Sequence, residues 1–396
     1  MNTAARTLLQ AALQDRAADV HPELVALSHA LHDDPEVAFE EHRSAARVTD
    51  VLARHGFDVT TGVSGLDTAF TATFGTGSLT VGVCVEYDAL PDIGHACGHN
   101  VIAATSVGAA LALARFADQL DITVKAIGTP AEEHGGGKVI LLEKGVFDDV
   151  AIAMMAHPMP TADIGAHHFP TQAVARFRVH YTGTPAHAAA APHLGVNAAS
   201  AAVVAQVAIG QLRQQIPGDH RIAAYVSHGG AAINIIPEST TVECEVRAFT
   251  MEEMQALKMK AEWCFAAGAQ ATGCAMEMEA TQPDYADMRA DTWFSERYLA
   301  HLTALGRTPV TLEPGKAGGS TDFGNISHVM PAIHPALGIL GATHMPHTHG
   351  FTAETNTPAA DDAILVGAKA LASAAADLAL DAEQRGRALS RLAARS

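Results

Sequence analysis

The stretch His95-Ala-Cys-Gly-His99 sets three potential metal ligands, His95, Cys97 and His99, directly before an apolar run that reads as a helix. Nitrogen and sulfur donors so close together suit a zinc-type ion, and a catalytic ion also keeps a position for water. Two further places supply compatible donors. Glu132-Glu133 is a carboxylate pair, and Met155-Ala-His-Pro158 carries His157. Neighbouring carboxylates can divide labour, one binding metal while the other serves as general base for the attacking water. Near the C-terminus, Gly341-Ala-Thr-His-Met-Pro-His-Thr-His-Gly-Phe351 offers His344, His347 and His349, and spacing alone does not choose among them. Each feature has a bland reading by itself: a packing cysteine, a core histidine, a solvated acidic pair, a turn residue at Asp88 before Pro91.

The elements that must hold these residues make the group informative. Leu79–Val85, Ile122–Ile127 and Val150–Met155 are continuous β-prone runs, and such runs suit strands covered on both faces. Helical stretches at Asn100–Phe116 and Lys138–Lys144 separate them, which is the alternation of a parallel sheet. Glu86 and Asp88 follow the first strand, Glu132 and Glu133 the second, and His157 the third. Functional groups of open α/β sheets gather beyond the carboxyl ends of the strands, so three successive strand ends converge on one place.

Two helices within Pro22–His55, broken near Asp33-Asp-Pro35, precede the sheet. After His168 the texture changes: Ala173–Tyr181 alternates apolar and polar residues with period two. An Ala-rich helix (Val196–Gln214), strands near Ala223–Ser227 and Thr241–Phe249, and a helix over Met251–Ala267 follow. The expected organisation is α/β, a mixed and mostly parallel sheet with helices on both faces, formed by residues 1–169 and 284–396. Residues 170–283 form an inserted α+β domain. The main domain resumes with a helix near Thr292 and closes with one over 359–392.

Composition excludes several classes. The 396 residues carry a net charge of −18, from 25 Lys+Arg against 43 Asp+Glu, and no basic stripe interrupts the acidic background, so nucleic acid is not an expected partner. The five cysteines are scattered without CxxC spacing, which argues against a disulfide framework and fits a reducing cytoplasm. Arg6, Asp15 and Arg16 interrupt the N-terminal segment, so it does not read as a signal peptide. Stretches such as 198–210 are too short for a membrane span of ~20 residues.

These residues resemble the metal-dependent aminoacylase/carboxypeptidase family, in the branch of the indole-acetyl-amino-acid hydrolases and p-aminobenzoyl-glutamate hydrolase. The matching stretches run along nearly the whole chain: HDDPEVAFE (32–40), EYDALPDIGHACGHN (86–100), GTPAEEHGGGK (128–138), MAHP (155–158), GTPAHAAAAPHLGVNA (183–198), LRQQIP (212–217), GGAAINIIPE (229–238), VRAF (246–249), GGSTDFGN (318–325) and HTHGF (347–351). The resemblance implies a zinc-exopeptidase-like catalytic domain interrupted by a lid that commonly makes a homodimer contact. By position it assigns Cys97, His99, Glu133, His157 and His347 as metal ligands, Glu132 as general base, and Asp88 as the acid orienting a ligand histidine. It gives His187 the part of an oxyanion donor, in many relatives to the partner subunit's site, and links Asn234 and Arg247 with substrate binding. Glu86 stands where carboxypeptidase relatives carry a ligand histidine, so their assignments do not transfer at that corner. His95, His344 and His349 stay without a role.

The expected cofactor is zinc, one or two ions per chain, with Mn2+ or Co2+ as substitutes, because a thiolate disfavours magnesium and calcium. A position at a helix N-terminus is expected to help ionise Cys97. The expected activity is hydrolysis of N-acyl-amino acids. Overall similarity to corynebacterial Nα-acylglutamine aminoacylases makes Nα-acyl-L-glutamine the first substrate. Competing expectations are a p-aminobenzoyl-glutamate-type amidase, a dipeptidase, a metal-binding scaffold without activity, and a cysteine-nucleophile hydrolase using Cys97 and His99.

Overall fold

In the computed structural model, which describes residues 3–312 and 318–395, three strands and two helices of the N-terminal half already set the plan. The chain runs α1 (Thr3–His32), α2 (His42–Arg54), β1 (Asp58–Thr61), β2 (Phe70–Phe74), β3 (Leu79–Val85), α3 (His99–Ala114), α4 (Ala117–Leu120), β4 (Ile122–Gly128), α5 (Gly137–Glu143), β5 (Ile152–Met154) and β6 (His157–Pro160). It continues with β7 (Ala173–Thr182), α6 (Ala198–Leu212), β8 (Arg221–His228), β9 (Ser239–Ala248), α7 (Met251–Thr272) and β10 (Ala275–Ala280). The last stretch is α8 (Thr292–Ala304), α9 (Phe323–Val329), β11 (Ala332–Ile333), β12 (Ala336–Ile339), α10 (His349–Glu354), α11 (Pro358–Leu380) and α12 (Ala382–Ala393). Two compact units result: Thr171–Asp287 with the short stretch ending at Thr321, and the remainder.

The larger unit is built on a sheet of order β1-β2-β4-β3-β5-β11. β4, β3, β5 and β11 are parallel, while β1 and β2 join antiparallel at one edge. Alternation of side chains sorts the residues to two cores. Val81, Val83 and Val85 point to the layer that holds α3, α1 and α11. Cys84, on the other face, joins Leu141 of α5 and Phe323 and Ile326 of α9. The register aligns the strand ends: Val85 pairs with Gly128, Val83 with Met154, and Met154 with Ile333. Everything that follows these four strands therefore emerges along one edge of the sheet.

Two helices differ from the sequence expectation. Pro22 suits a helix start, yet α1 runs through it from Thr3. Six large apolar side chains, Leu9, Leu13, Val20, Leu24, Leu27 and Leu31, are buried along one stripe. Their burial at roughly 1.5–3 kcal/mol each outweighs the ~3 kcal/mol that an interior proline costs. The expected 359–392 helix is two, because Asp381 (φ −86°, ψ 114°) ends α11 and its carboxylate caps α12 by accepting from the backbone N–H of Glu383 and Gln384. α11 is long and apolar enough to cross a bilayer, and its apolar surface lies against the core of the unit.

In the smaller unit an antiparallel sheet of order β10-β7-β9-β8 lies under α6 and α7. Phe177, Val179 and Tyr181 of β7 face the helices, while Arg176 and Arg178 on the opposite face pair with Glu245 and Glu243 of β9. β10 has no counterpart in the sequence expectation. Its Ala-Met-Glu-Met-Glu-Ala sequence consists of good helix formers, and pairing along β7 overrides that preference.

Candidate metal centre

At the N-terminus of α3 the chain must pass close to the segment carrying His157. Gly98 makes this possible: its φ is +78°, and a Cβ there would come within 2.5 Å of Pro158 Cγ. Cys97 and His99 consequently face His157. Cys97 Sγ lies 3.4 Å from His157 Nε2 and 3.5 Å from His347 Nε2. His157 donates its Nδ1–H to the carbonyl of Pro158 (2.8 Å), and His99 donates its Nδ1–H to Asp88 (2.9 Å). Both rings thus turn Nε2 toward the common centre, as ligand histidines do.

The Glu132-Glu133 loop is held by backbone geometry and by a segment far earlier in the chain. Ala131 adopts φ +60°, a sparsely populated conformation for a residue with a Cβ. Its N–H donates to Glu41 Oε1 (2.9 Å), and Glu41 Oε2 accepts from Thr68 (2.8 Å). The segment after α1 therefore anchors the carboxylate loop, although only its motif, and no role for Glu41, is visible in the sequence. Burial first and Asp88 second push the Glu41 carboxyl up to about 7, against an ordinary 4.5. A raised carboxyl stabilises the fold fully below pH 4.5 and loses that contribution as pH rises through 7. In metal-free protein, Glu41→Gln is expected to remove a decline of order 3 kcal/mol between those limits. Urea unfolding of both proteins at a series of pH values checks this, and identical slopes would refute it.

Two donor groups share the sulfur. Cys97, His99 and His157 place their ligand atoms within 4.8 Å of one another, and so do Cys97, Glu133 and His347. Glu133 Oε1 lies 3.4 Å from His347 Nε2 and 4.0 Å from His99 Nε2. His347 sits at φ +66°, its N–H donating to the carbonyl of Ala96, so the last ligand comes from a loop pinned beside the first. The structure thus brings together all five residues expected to bind metal. His344 is directed away, bound to Glu354 at 2.9 Å. His349 begins α10, and His95 is buried next to the centre.

The electrostatics call for positive charge. Burial opposes the charge of His99, yet Asp88, Cys97 and Glu86 hold its pKa well above 6.5. Burial pushes the Cys97 thiol up and Glu133 adds to it. The raised pKa, for which burial is the largest cause, means that the sulfur needs a cation beside it to ionise. It also disfavours a cysteine nucleophile, which requires a lowered pKa. The adjacent carboxylates diverge. Burial, then Glu86, Glu133 and Asp322 raise Glu132 well above 4.5; Glu133 is also pushed up by burial, but the hydrogen bond with His347 and the charge of His99 bring it below 4.5. Three imidazoles and a carboxylate around one thiolate are donors that fit a zinc-like ion.

Asp88 ties the ligands together, since its second oxygen accepts from the N–H of Glu133 (3.0 Å). Burial alone would raise its pKa, and His99 with the Glu133 amide keeps it lowered. Asp88→Asn is expected to weaken metal binding by about 10–100-fold, measured by competition with a chromophoric chelator. Wild-type affinity in the variant would contradict that positioning role.

Sequence reasoning missed four buried residues here. Lys138 and Asp322 flank Glu86, and both are completely shielded from solvent. His334 follows β11 as His157 follows β5, and its ring meets the His157 ring edge-on at 5.7 Å. The strand-end rule would have found His334 had the two-residue β11 been recognisable; Glu41 is the fourth.

The remaining expected residues belong to the smaller unit. His187 is exposed, and its Nδ1 accepts from the N–H groups of Ala189 (3.2 Å) and Ala190 (3.1 Å), which leaves Nε2–H as the outward donor. Asn234 is exposed, with its carbonyl accepting from Ala188. The Arg247 guanidinium is engaged by Glu245 at 2.6 and 3.0 Å and donates to Ser320.

A model of peptidase family M20/M25/M40 matches residues 84–377. The mouse Xaa-Arg dipeptidase is 38% identical over 387 residues, which is 94% of this chain and 89% of that protein. One of the subunits of the p-aminobenzoyl-glutamate hydrolase of Escherichia coli is 32% identical over 251 residues, 58% of this chain and 51% of its own length. Among solved structures, a Bacillus subtilis protein described as a dinuclear metal-binding peptidase of the M20 family aligns with a TM-score of 0.69 at 23% identity, over 91% of this chain and 98% of that one.

Proposed function

The chain belongs to peptidase family M20/M25/M40, whose relatives hydrolyse amide bonds, and from that premise we propose that it is a two-ion amidohydrolase releasing an amino acid from a dipeptide or N-acyl conjugate. The observation that carries this is geometric: Cys97, His99, Glu133, His157 and His347 converge around one sulfur, with the Glu132 carboxylate beside them, within 4.8 Å of His99 and Glu133. Of the adjacent carboxylates, one faces the ligand histidine His347 and the other is left to carry a proton. Cys97, His99 and His157 would hold one ion, and Cys97, Glu133 and His347 the other. Zinc is the proposed metal, with Mn2+ or Co2+ able to replace it. Bound ions supply Lewis acidity toward the substrate carbonyl and water. Glu132 accepts the proton of the attacking water and returns it to the departing amine. The resemblance gives His187 the part of an oxyanion donor, in many relatives toward the partner subunit's site, and its Nδ1, already accepting from Ala189 and Ala190, leaves Nε2–H to donate.

A dipeptide of the Xaa-Arg kind is the first substrate, supported by the mouse relative's similarity along nearly the whole chain. Nα-acyl-L-glutamine, drawn from sequence resemblance, is the second; similarity to a hydrolase of an aromatic acyl-glutamate favours that class. The test is amino-acid release from Ala-Arg, N-acetyl-glutamine and p-aminobenzoyl-glutamate, with and without chelator. Chelator-reversible release of arginine supports the first reading and of glutamine the second. Bound metal with no release from any of the three would leave the inactive scaffold standing instead.

The proposal extends to a homodimer and to a reducing cytoplasm, where Cys97 stays unoxidised. β8 is an edge strand with Tyr225 and Val226 exposed, and α6 exposes Val203 and Val207 on the same unit. Light scattering should give twice the chain mass, and a monomer at all concentrations would remove this part.

A further inference from the structure

Beside the two groups that share the sulfur lie two that contain Glu132: one with His99 and Glu133, and one made of carboxylates alone. Glu86, Glu132 and Asp322 are buried, and one carboxylate oxygen from each falls within 4.8 Å of the others. Three converging carboxylates are the donor set of a hard divalent cation. Here a side chain already meets two of them: Lys138 Nζ is 2.5 Å from Glu86 Oε1 and 2.7 Å from Asp322 Oδ1, and Lys138, Glu86 and Asp322 are all fully shielded. The grip is double, because the backbone N–H of Lys138 also donates to Asp322 (2.9 Å) at the start of α5. Glu86 in turn reaches to 3.6 Å from His99 Nε2, so the cluster adjoins the metal ligands directly.

Buried carboxylates without a counter-charge are strongly unfavourable, and an ammonium is a compact point charge of the right kind. We propose that Lys138 is a cation built into the centre, which fills the Glu86–Glu132–Asp322 cluster, keeps a metal ion out of it, and so keeps Glu132 from capture by an ion there. This rests on the amidohydrolase reading only in what it says of Glu132. Lys138 acts through other groups and is a positioning residue. A neighbouring carboxylate pair serves as ligand and base only if the base is not itself captured by metal, and a fixed ammonium enforces that division where a third exchangeable ion would abolish it.

The test is the metal content of Lys138→Met after saturation with Mn2+ and desalting, with the Mn2+ spectrum recorded by electron paramagnetic resonance. The expected result is one more ion per chain than the wild type, with kcat lowered at least about 100-fold and KM changed by less than about threefold. Should the methionine variant fail to fold, Lys138→Gln is read in the same way, since its amide can donate to Glu86 and Asp322 without charge. An unchanged ion count in a folded variant overturns the inference; a structural role alone would not add an ion. Because the count needs no turnover, a wild-type protein without amidase activity would sink the proposed function and leave this result readable.

Discussion

Glutamine in place of Glu132 is expected to lower kcat by roughly 10^3-fold and to leave the bound metal unchanged. The substitution keeps shape and hydrogen bonding but removes the only function the mechanism asks of this side chain, carrying a proton. Glu132 is buried and its pKa is raised, first by burial and then by Glu86, Glu133 and Asp322, so the environment favours proton uptake. Its neighbour gives the contrast. Glu133 sits 3.4 Å from His347 Nε2 within a donor group, so Glu133→Gln should lose metal as well as activity. Metal analysis beside steady-state kinetics separates the two. Retention of more than about a tenth of wild-type kcat in Glu132→Gln would mean that another group moves the proton.

The second large effect concerns the shared sulfur. Cys97 belongs to both candidate donor groups, whereas His157 and His347 belong to one each. Cys97→Ala is therefore expected to empty both positions at metal concentrations that saturate the wild type, with activity falling to background. His347→Ala should empty only one. Isothermal titration of metal-free protein tests this: two binding events in the wild type, one in His347→Ala, none of comparable affinity in Cys97→Ala. If Cys97→Ala still bound two ions tightly, the sulfur would be a bystander and the two groups would be joined through another atom.

The strand-end residues were legible because a parallel sheet leaves few choices. Val85 and Gly128 end their strands paired and Met154 ends the next one opposite Val83, so Glu86, Asp88, Glu132, Glu133 and His157 had to emerge together whatever the details of the helices. The contribution of His347 came through resemblance, since a loop ligand follows no periodicity. The counter-charges were hidden for a different reason. Lys138 reads as a helix residue that ought to be solvated, and its partners, Glu86 and the buried Asp322 184 residues further on, come to it only through the tertiary fold. Likewise Pro22 reads as a boundary unless the stripe from Leu9 to Leu31 is known to be buried as one surface. β10 failed on composition, because its pairing with β7 is a tertiary fact that Met and Glu do not announce.

One contrast within the centre bears on its kinetics. His99 and Cys97 lie in the shielded interior, but the His347 side chain is 57% exposed on its surface loop. On the two-ion reading, exchange at the two positions would be unequal. An ion held partly by His347 would have an exposed ligand that can be displaced without disturbing the sheet, while its neighbour would leave only after buried side chains move. Partial chelation is then expected to yield a long-lived half-loaded form, and remetallation with a different ion a mixed-metal pair in a defined order.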